Sequence, residues 1–130
     1  SPEFQDLKLL VQTLHAAGAD VQYVSIPSNG RWYDHIGIKK DRREAVYKKI
    51  HSTVVDNGGK IYDLTNKDYE KYVISDAVHI GWKGWVYVDQ QIARHMDGHA
   101  PKNHEVDYSK NKPPHKHHKG RQDDQHQGNK

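Results

Sequence analysis

Residues 21 to 27 read V-Q-Y-V-S-I-P and residues 60 to 64 read K-I-Y-D-L, and these two short β-rich runs decide the fold class. Turn-forming residues bound both runs, with Pro-Ser-Asn-Gly closing the first and Asn-Gly-Gly preceding the second. Between them, residues 41 to 56 are predicted to form a helix. Two strands joined through a helix pair in parallel with a right-handed crossover, so the pattern predicts an α/β layered fold.

Three predicted helices each carry an apolar stripe at helical spacing. The first covers residues 5 to 17 and ends at Gly18, the second begins at Asp41 as its N-cap, and the last covers residues 81 to 96. The stripes consist of Leu7, Leu10, Val11 and Leu14; of Val46, Ile50 and Val54; and of Trp85, Val88 or Asp89, Ile92 and Met96. The order α-β-α-β-α predicts a partial three-layer α/β/α domain with parallel strands.

Composition divides the chain into three parts. Residues 1 to 4, S-P-E-F, look like a cloning scar, and residues 5 to 96 carry the predicted α/β domain. Residues 97 to 130 form a His- and Lys-rich low-complexity tail whose apolar side chains are Ala100, Val106 and Tyr108. So little apolar surface cannot offset the entropy of ordering, and we expect the tail to be disordered.

Charge and composition exclude several classes of function. The 20 Lys and Arg exceed the 17 Asp and Glu only slightly, so the net charge of +3 gives no concentrated basic face for a nucleic acid. With no cysteine, the chain has neither a disulfide framework nor a thiolate zinc site. No run of about 18 apolar residues is present, so any membrane anchor would lie outside this chain.

Asp76 and His79 stand three positions apart at the start of the last predicted helix, in D-A-V-H. A neutral imidazole that takes a proton and a carboxylate that fixes its tautomer are what a hydrolase or acyltransferase needs to activate a serine. None of the chain's serines lies in a Gly-rich strand-to-helix turn that would present a nucleophile. We therefore interpret the pair as the base half of a site whose nucleophile lies elsewhere.

Polar and aromatic side chains also follow the first strand. In open parallel sheets, ligands bind beyond the carboxyl ends of the strands, and both loops that start there should lie on the same edge. Four residues of the first loop are candidate substrate contacts, with a purely structural loop role as an equal alternative: Asn29, Trp32, Tyr33 and Asp34.

Two stretches together resemble the DltD family: I-P-S-N-G-R-W-Y-D-H-I-G at 26 to 37, and D-A-V-H-I-G-W-K-G-W-V at 76 to 86. The resemblance, to the C-terminal part of these Gram-positive D-alanyl-lipoteichoic acid biosynthesis proteins, covers roughly residues 5 to 96. It implies an SGNH-hydrolase-like (flavodoxin-like) α/β/α fold at the outer face of the cytoplasmic membrane, held by an anchor absent from this chain. The implied partners are a D-alanyl carrier protein, a membrane-embedded acyltransferase and teichoic acid, with no cofactor and no metal.

Matched to the D-x-x-H of that family, Asp76 is the orienting carboxylate and His79 the general base of a serine-dependent D-alanyl transferase or thioesterase. The family's serine and oxyanion-hole groups lie upstream of the matched region. The resemblance therefore implies that the complete protein is active and that this chain alone is not.

Other interpretations remain open on the residues themselves. Asp63, at the end of the second strand, is a weaker rival for the orienting carboxylate, and Trp82 and Trp85 are expected to pack rather than to bind substrate. Gly81 and Gly84 are expected to allow close approach of the helix start to the sheet. The chain could instead be a non-catalytic module that binds the carrier protein or teichoic acid. A third hypothesis is metal or polyanion binding by the tail histidines His115, His117, His118 and His126.

Overall fold

The computed structural model describes residues 1–99 and 106–115. Its elements are helix α1 (Pro2–Ala16), strand β1 (Gln22–Ser25), helices α2 (Gly30–His35) and α3 (Lys40–Asp56), strand β2 (Lys60–Asp63), a 3-10 helix (Thr65–Lys67) and helix α4 (Trp82–Met96). The two strands pair in parallel, with Tyr23 opposite Ile61. The predicted parallel pair and its helical crossover are confirmed.

Helices lie on both faces of the two-stranded sheet. On one face, α1 and α3 enclose a core of Val11, Val54 and Ile61. Side chains alternate along a strand, so Tyr62 points to the face opposite Ile61. Burial, and then the nearby Tyr87 of α4, raise the pKa of the Tyr62 phenol, which puts α4 on that face. The domain is thus a partial α/β/α sandwich, as predicted.

The apolar stripe predicted for α3 is confirmed at Val54, half-buried at Ile50 and wrong at Val46. Its buried residues are Arg43, Tyr47 and Val54, whereas Val46 is 47% exposed. The buried face of α3 begins with the charged residue Arg43, so the spacing of apolar residues alone could not identify it. Asp41 is not the N-cap either, because Lys39 occupies that position and Asp41 lies in the first turn.

The stripe predicted for α4 is confirmed at Val88 and wrong at its other positions. The helix buries Gly84, Val88 and Gln91, while Trp85, Ile92 and Met96 are exposed. Trp82 is exposed as well, so neither tryptophan belongs to the core of the described residues, although Trp82 contacts the Tyr72 ring. Gly84 determines which face of the helix packs. Because it has no side chain, its face can approach the segment that contains Val73 most closely.

The close approach expected at the two glycines of α4 is present, but its partner differs. A Cβ on Gly84 would lie 2.5 Å from the carbonyl oxygen of Val73, and a Cβ on Gly81 would collide with the carbonyl oxygen of Tyr72. The start of α4 therefore packs against the segment that leads into the Asp76–His79 turn, not against the strands. This contact sets the position of the turn relative to the helix.

The ends of the chain differ in part from the prediction. Helix α1 begins at Pro2, so three of the four residues interpreted as a cloning scar are helical; their origin stays a prediction. Residues 106–115 contain neither helix nor strand, as expected, yet Tyr108 and Asn111 are buried at 7% exposure each. His117, His118 and His126 lie outside the described residues. Within those residues, no helix has the length and apolar character needed to cross a membrane.

Candidate functional site

Asp76 and His79 form a closed hydrogen-bonded turn. One carboxylate oxygen, Oδ1, accepts the backbone N–H groups of Val78 (3.0 Å) and His79 (2.8 Å). The other, Oδ2, lies 2.7 Å from Nδ1 of the His79 imidazole. The predicted hydrogen bond is confirmed, and the same carboxylate also shapes the turn that presents the histidine.

The charge of this carboxylate fixes the tautomer of the histidine. The backbone N–H groups of His79 and Val78, followed by the His79 side chain, lower the pKa of Asp76 to about 2. An ionised carboxylate can only accept hydrogen bonds, so Nδ1 of His79 carries the proton. In the neutral ring, Nε2 then holds the lone pair that a general base uses.

The turn sits on a small two-stranded support. Ile74 and Ile80 form an antiparallel bridge, and Ser75 N–H donates to the carbonyl oxygen of His79 at 2.8 Å. The Ser75 hydroxyl donates to that same oxygen at 3.2 Å, so it points to the backbone and not to the imidazole. Ser75 is therefore held in a structural role.

The two loops at the carboxyl ends of the strands meet, as predicted. The backbone N–H of Asn29, after β1, donates to the carbonyl oxygen of Ala77 in the turn at 3.0 Å. Asn29 also uses its side-chain oxygen to accept the N–H of Trp32 and so caps helix α2. One residue thus begins a helix and anchors the candidate catalytic turn.

Helix α2, six residues long, was predicted as a loop. Asn29 is a favourable N-cap and was the one local signal for it, but six residues are too few for a recognisable period. The helix leaves the Trp32 side chain 46% exposed, with the edge of its ring against Tyr33 at a centroid separation of 5.6 Å. Both residues are accessible for binding, and that role stays a prediction.

Asp34 lies at the exposed edge of a polar network whose other members are buried. Its Oδ1 lies 2.6 Å from Nη1 of Arg43, and its Oδ2 accepts the Tyr69 hydroxyl at 2.6 Å. Nε of the same guanidinium lies 3.1 Å from Oδ2 of Asp68. The contacts of Asp34 are those of a structural residue, and a substrate role for it stays a prediction.

This network shifts the pKa values of its members. Burial opposes the charged form of Arg43, but hydrogen bonds to Asp34 and Tyr69 and the charge of Asp68 outweigh it and raise the pKa of the guanidinium. Burial and then the hydrogen bond to Asp34 raise the pKa of Tyr69 to about 12. At neutral pH the network therefore holds an arginine cation and a neutral phenol. Arg43, Asp68 and Tyr69 carried no sequence signal, because the contacts that join them to one another and to Asp34 span 9 to 35 positions.

A cleft of about 300 Å³ borders the turn. Its wall includes Ser75, which precedes Asp76, and Asn29, which contacts the turn. Tyr72 and Trp82, whose rings lie 5.7 Å apart, also line the cleft. The side chains of Asp76 and His79 are 58% and 77% exposed, so the pair is accessible in the part of the chain that the structure describes.

Asp63, the rival carboxylate, is engaged elsewhere. Its Oδ2 lies 2.7 Å from Nδ1 of His51, and its Oδ1 accepts both the N–H and the hydroxyl of Thr65. The chain thus contains a second His–Asp pair, held between α3 and the end of β2. Among residues 1–99 and 106–115, which include His115, no group of three or more His, Asp or Glu side chains could hold a metal ion.

Comparisons with known proteins agree with the resemblance. The family model described as DltD protein matches residues 1–97. Protein DltD of Staphylococcus aureus is 80% identical over 111 residues, which are 85% of this chain and 28% of the relative. Protein DltD of Bacillus subtilis is 42% identical over 92 residues, 71% of this chain and 24% of the relative, and that of Lacticaseibacillus rhamnosus is 29% identical over 93 residues, 71% and 22%. The chain spans about a quarter of the length of these relatives.

Proposed function

The chain belongs to the DltD family, and we propose that it is the C-terminal part of a protein that serves D-alanylation of lipoteichoic acid. In this proposal it contributes the Asp–His half of a Ser-His-Asp site for acyl transfer or thioester hydrolysis, in an SGNH-hydrolase-like domain. The complete protein acts at the outer face of the cytoplasmic membrane of a Gram-positive bacterium. Its partners there are the D-alanyl carrier protein, the membrane-embedded acyltransferase and teichoic acid.

One observation carries the proposal: Oδ2 of Asp76 lies 2.7 Å from Nδ1 of His79 on an exposed turn beyond the carboxyl end of a parallel sheet. The carboxylate holds the ring in one tautomer and stabilises the imidazolium that forms when Nε2 takes a proton. A serine hydroxyl from the remainder of the protein would lie next to Nε2. It loses its proton as its oxygen attacks the D-alanyl carbonyl, and the imidazolium then returns the proton to the leaving group.

A serine-directed covalent probe tests this assignment on the complete protein. A fluorophosphonate should label the unaltered protein, and labelling should fall to background in His79→Ala because the serine is no longer activated. The second His–Asp pair supplies a matched control, since His51→Ala removes an imidazole with the same 2.7 Å carboxylate contact. Equal labelling of the His79→Ala protein and the unaltered protein would reject the proposal.

A binding module is the second candidate, and the exposed Trp32 favours it, since it lies on α2 next to Arg31, which lines the cleft. In this alternative, the aromatic loop holds the carrier protein or teichoic acid, and Asp76 only shapes its turn. Binding that survives His79→Ala and fails in Trp32→Ala would support it. Full acyl transfer by a Trp32→Ala protein would exclude it.

A further inference from the structure

The segment of residues 106 to 112 lies in the part of the chain with the least apolar sequence, yet two of its side chains are buried. The Tyr108 ring stacks on Tyr47 with a centroid separation of 6.4 Å and an interplanar angle of 19°. Its hydroxyl lies 2.5 Å from the hydroxyl of Thr65. Asn111 donates from Nδ2 to Oδ1 of Asp68 at 2.5 Å. Lys40 also donates to the backbone carbonyl oxygen of Tyr108 at 3.2 Å, so ring stacking and several hydrogen bonds hold the segment in place.

The residues that contact Tyr108 and Asn111 both bind the loop of residues 28 to 30. The hydroxyl of Tyr47, under the Tyr108 ring, accepts the backbone N–H of Ser28 at 3.0 Å. The carbonyl oxygen of Asp68, whose side chain Asn111 binds, accepts the backbone N–H of Gly30 at 2.7 Å. The intervening residue, Asn29, donates its N–H to Ala77 of the turn.

We infer that residues 106 to 112 are a positioning element for the Asp76–His79 turn, acting through the Ser28–Gly30 loop. The element holds this loop on either side of Asn29 and so fixes the N–H group that anchors the turn. Without it, the turn keeps its internal hydrogen bonds but loses its fixed place relative to the sheet. The catalytic part of this inference rests on the proposed function; the mechanical part does not.

The burial of Asp68 makes its hydrogen bond with Asn111 important for stability. The side chain of Asp68 is fully buried, and burial raises its pKa, while the hydrogen bond from Asn111 and the contact with Arg43 counteract that rise. Removal of the Asn111 donor would leave a buried carboxylate oxygen of Asp68 without a hydrogen bond, and such an unsatisfied acceptor destabilises the fold. The loss at Asn111 is therefore transmitted to Asp68 and to the Gly30 N–H that its carbonyl holds.

Amide hydrogen exchange of the 130-residue chain, measured by NMR, tests the mechanical part. In Asn111→Ala, we expect the Asn29 N–H to exchange at least about 10-fold faster, since a buried acceptor has lost its donor. The Val54 N–H, in the core of α3, should change only as much as global stability changes. Lys112→Ala, an exposed neighbour of Asn111, is the matched control and should leave the Asn29 N–H unchanged.

Variants of Tyr108 give a second route that does not disturb Asp68. Tyr108→Phe keeps the ring on Tyr47, so the Ser28 N–H should keep its protection. Tyr108→Leu removes the stacked ring, so that N–H should exchange faster. Unchanged exchange at Asn29 in Asn111→Ala, or equal acceleration at Asn29 and Val54, would overturn the inference.

The catalytic part is read in the complete protein. Asn111→Ala should lower kcat by about 10-fold or more with KM unchanged, because misplacement of a reacting group slows the chemical step without weakening substrate binding. A rise in KM at constant kcat would contradict a positioning role. If His79→Ala supports full transfer, the proposed function fails while the exchange result still decides the mechanical part.

Discussion

Asp76 contacts His79 through both carboxylate oxygens, one on the backbone N–H at 2.8 Å and one on the imidazole at 2.7 Å. The first contact determines the shape of the turn and the second determines the tautomer of the ring. A single residue thus couples the fold of the loop to the chemistry that we propose for it. This coupling makes the consequences of substitution at the two positions different.

The first prediction concerns the pKa of Asp76, which is lowered from 3.8 to about 2 mainly by the backbone N–H groups of His79 and Val78. Because the His79 side chain is the smaller cause, His79→Ala should leave this pKa below 3.8. A carboxyl whose pKa is lowered by folding stabilises the native state at any pH above its pKa in the unfolded chain. This contribution to stability is therefore lost as the pH falls from about 4 to about 2. An NMR titration of the Asp76 carboxyl carbon measures both. A return to 3.8 in His79→Ala would show that the imidazole dominates.

A second prediction concerns Arg43, which is buried between Asp34 and Asp68. Arg43→Met leaves two carboxylates without their cation, and removal of one partner from a buried pair costs about 3–5 kcal/mol. Urea denaturation should show this loss, whereas Arg42→Met, at the exposed neighbouring position, should change stability by about 0.5 kcal/mol or less. Similar stability of both variants would mean that the network contributes little.

The third prediction concerns Gly84, where alanine should destabilise the protein although helix propensity favours alanine over glycine. An alanine in a helix is normally more stable than glycine by about 1 kcal/mol, but a Cβ here would lie 2.5 Å from the carbonyl oxygen of Val73. We expect Gly84→Ala to lower the free energy of unfolding by about 1–3 kcal/mol through overpacking. Gln90→Ala, on the exposed side of the same helix, is the control. Stabilisation by Gly84→Ala would contradict the close packing of α4 on this segment.

The fourth prediction is that the 130-residue chain alone does not turn over substrate. A covalent route needs a nucleophile, and one oxyanion-hole donor contributes about 10² to 10³ in rate. Hydrolysis of model D-alanyl esters and thioesters should therefore stay at background. Turnover that persists in His79→Ala would indicate a different chemistry.

Much of this architecture could be predicted from short-range patterns. The β-rich runs around Tyr23 and Ile61, with a helix between them, predicted the parallel pair, because few topologies are open to that order. The three-residue spacing of Asp76 and His79 predicted their hydrogen bond, since both partners lie in one turn.

What could not be predicted depends on distant partners. Arg43 can be buried because Asp34 and Asp68 neutralise its charge, and no local sequence pattern indicates this pairing. The seat of Asn111 on Asp68 joins residues 43 positions apart, in a segment whose composition indicated disorder. The exposed face of α4 was mistaken for its packed face because apolar residues lie on both.

Acyl transfer by the complete protein distinguishes a catalytic His79 from a structural one. Its rate is measured with the D-alanyl donor for His79→Ala, Asp76→Asn and the control His51→Ala, each corrected for the fraction folded. We expect background transfer for His79→Ala and a fall of about 10³ to 10⁴ for Asp76→Asn, because an amide favours the wrong tautomer while it can still accept the N–H groups of the turn. His51→Ala should stay within a few-fold of the unaltered protein. Transfer by His79→Ala at the rate of the unaltered protein would show that His79 is not the general base.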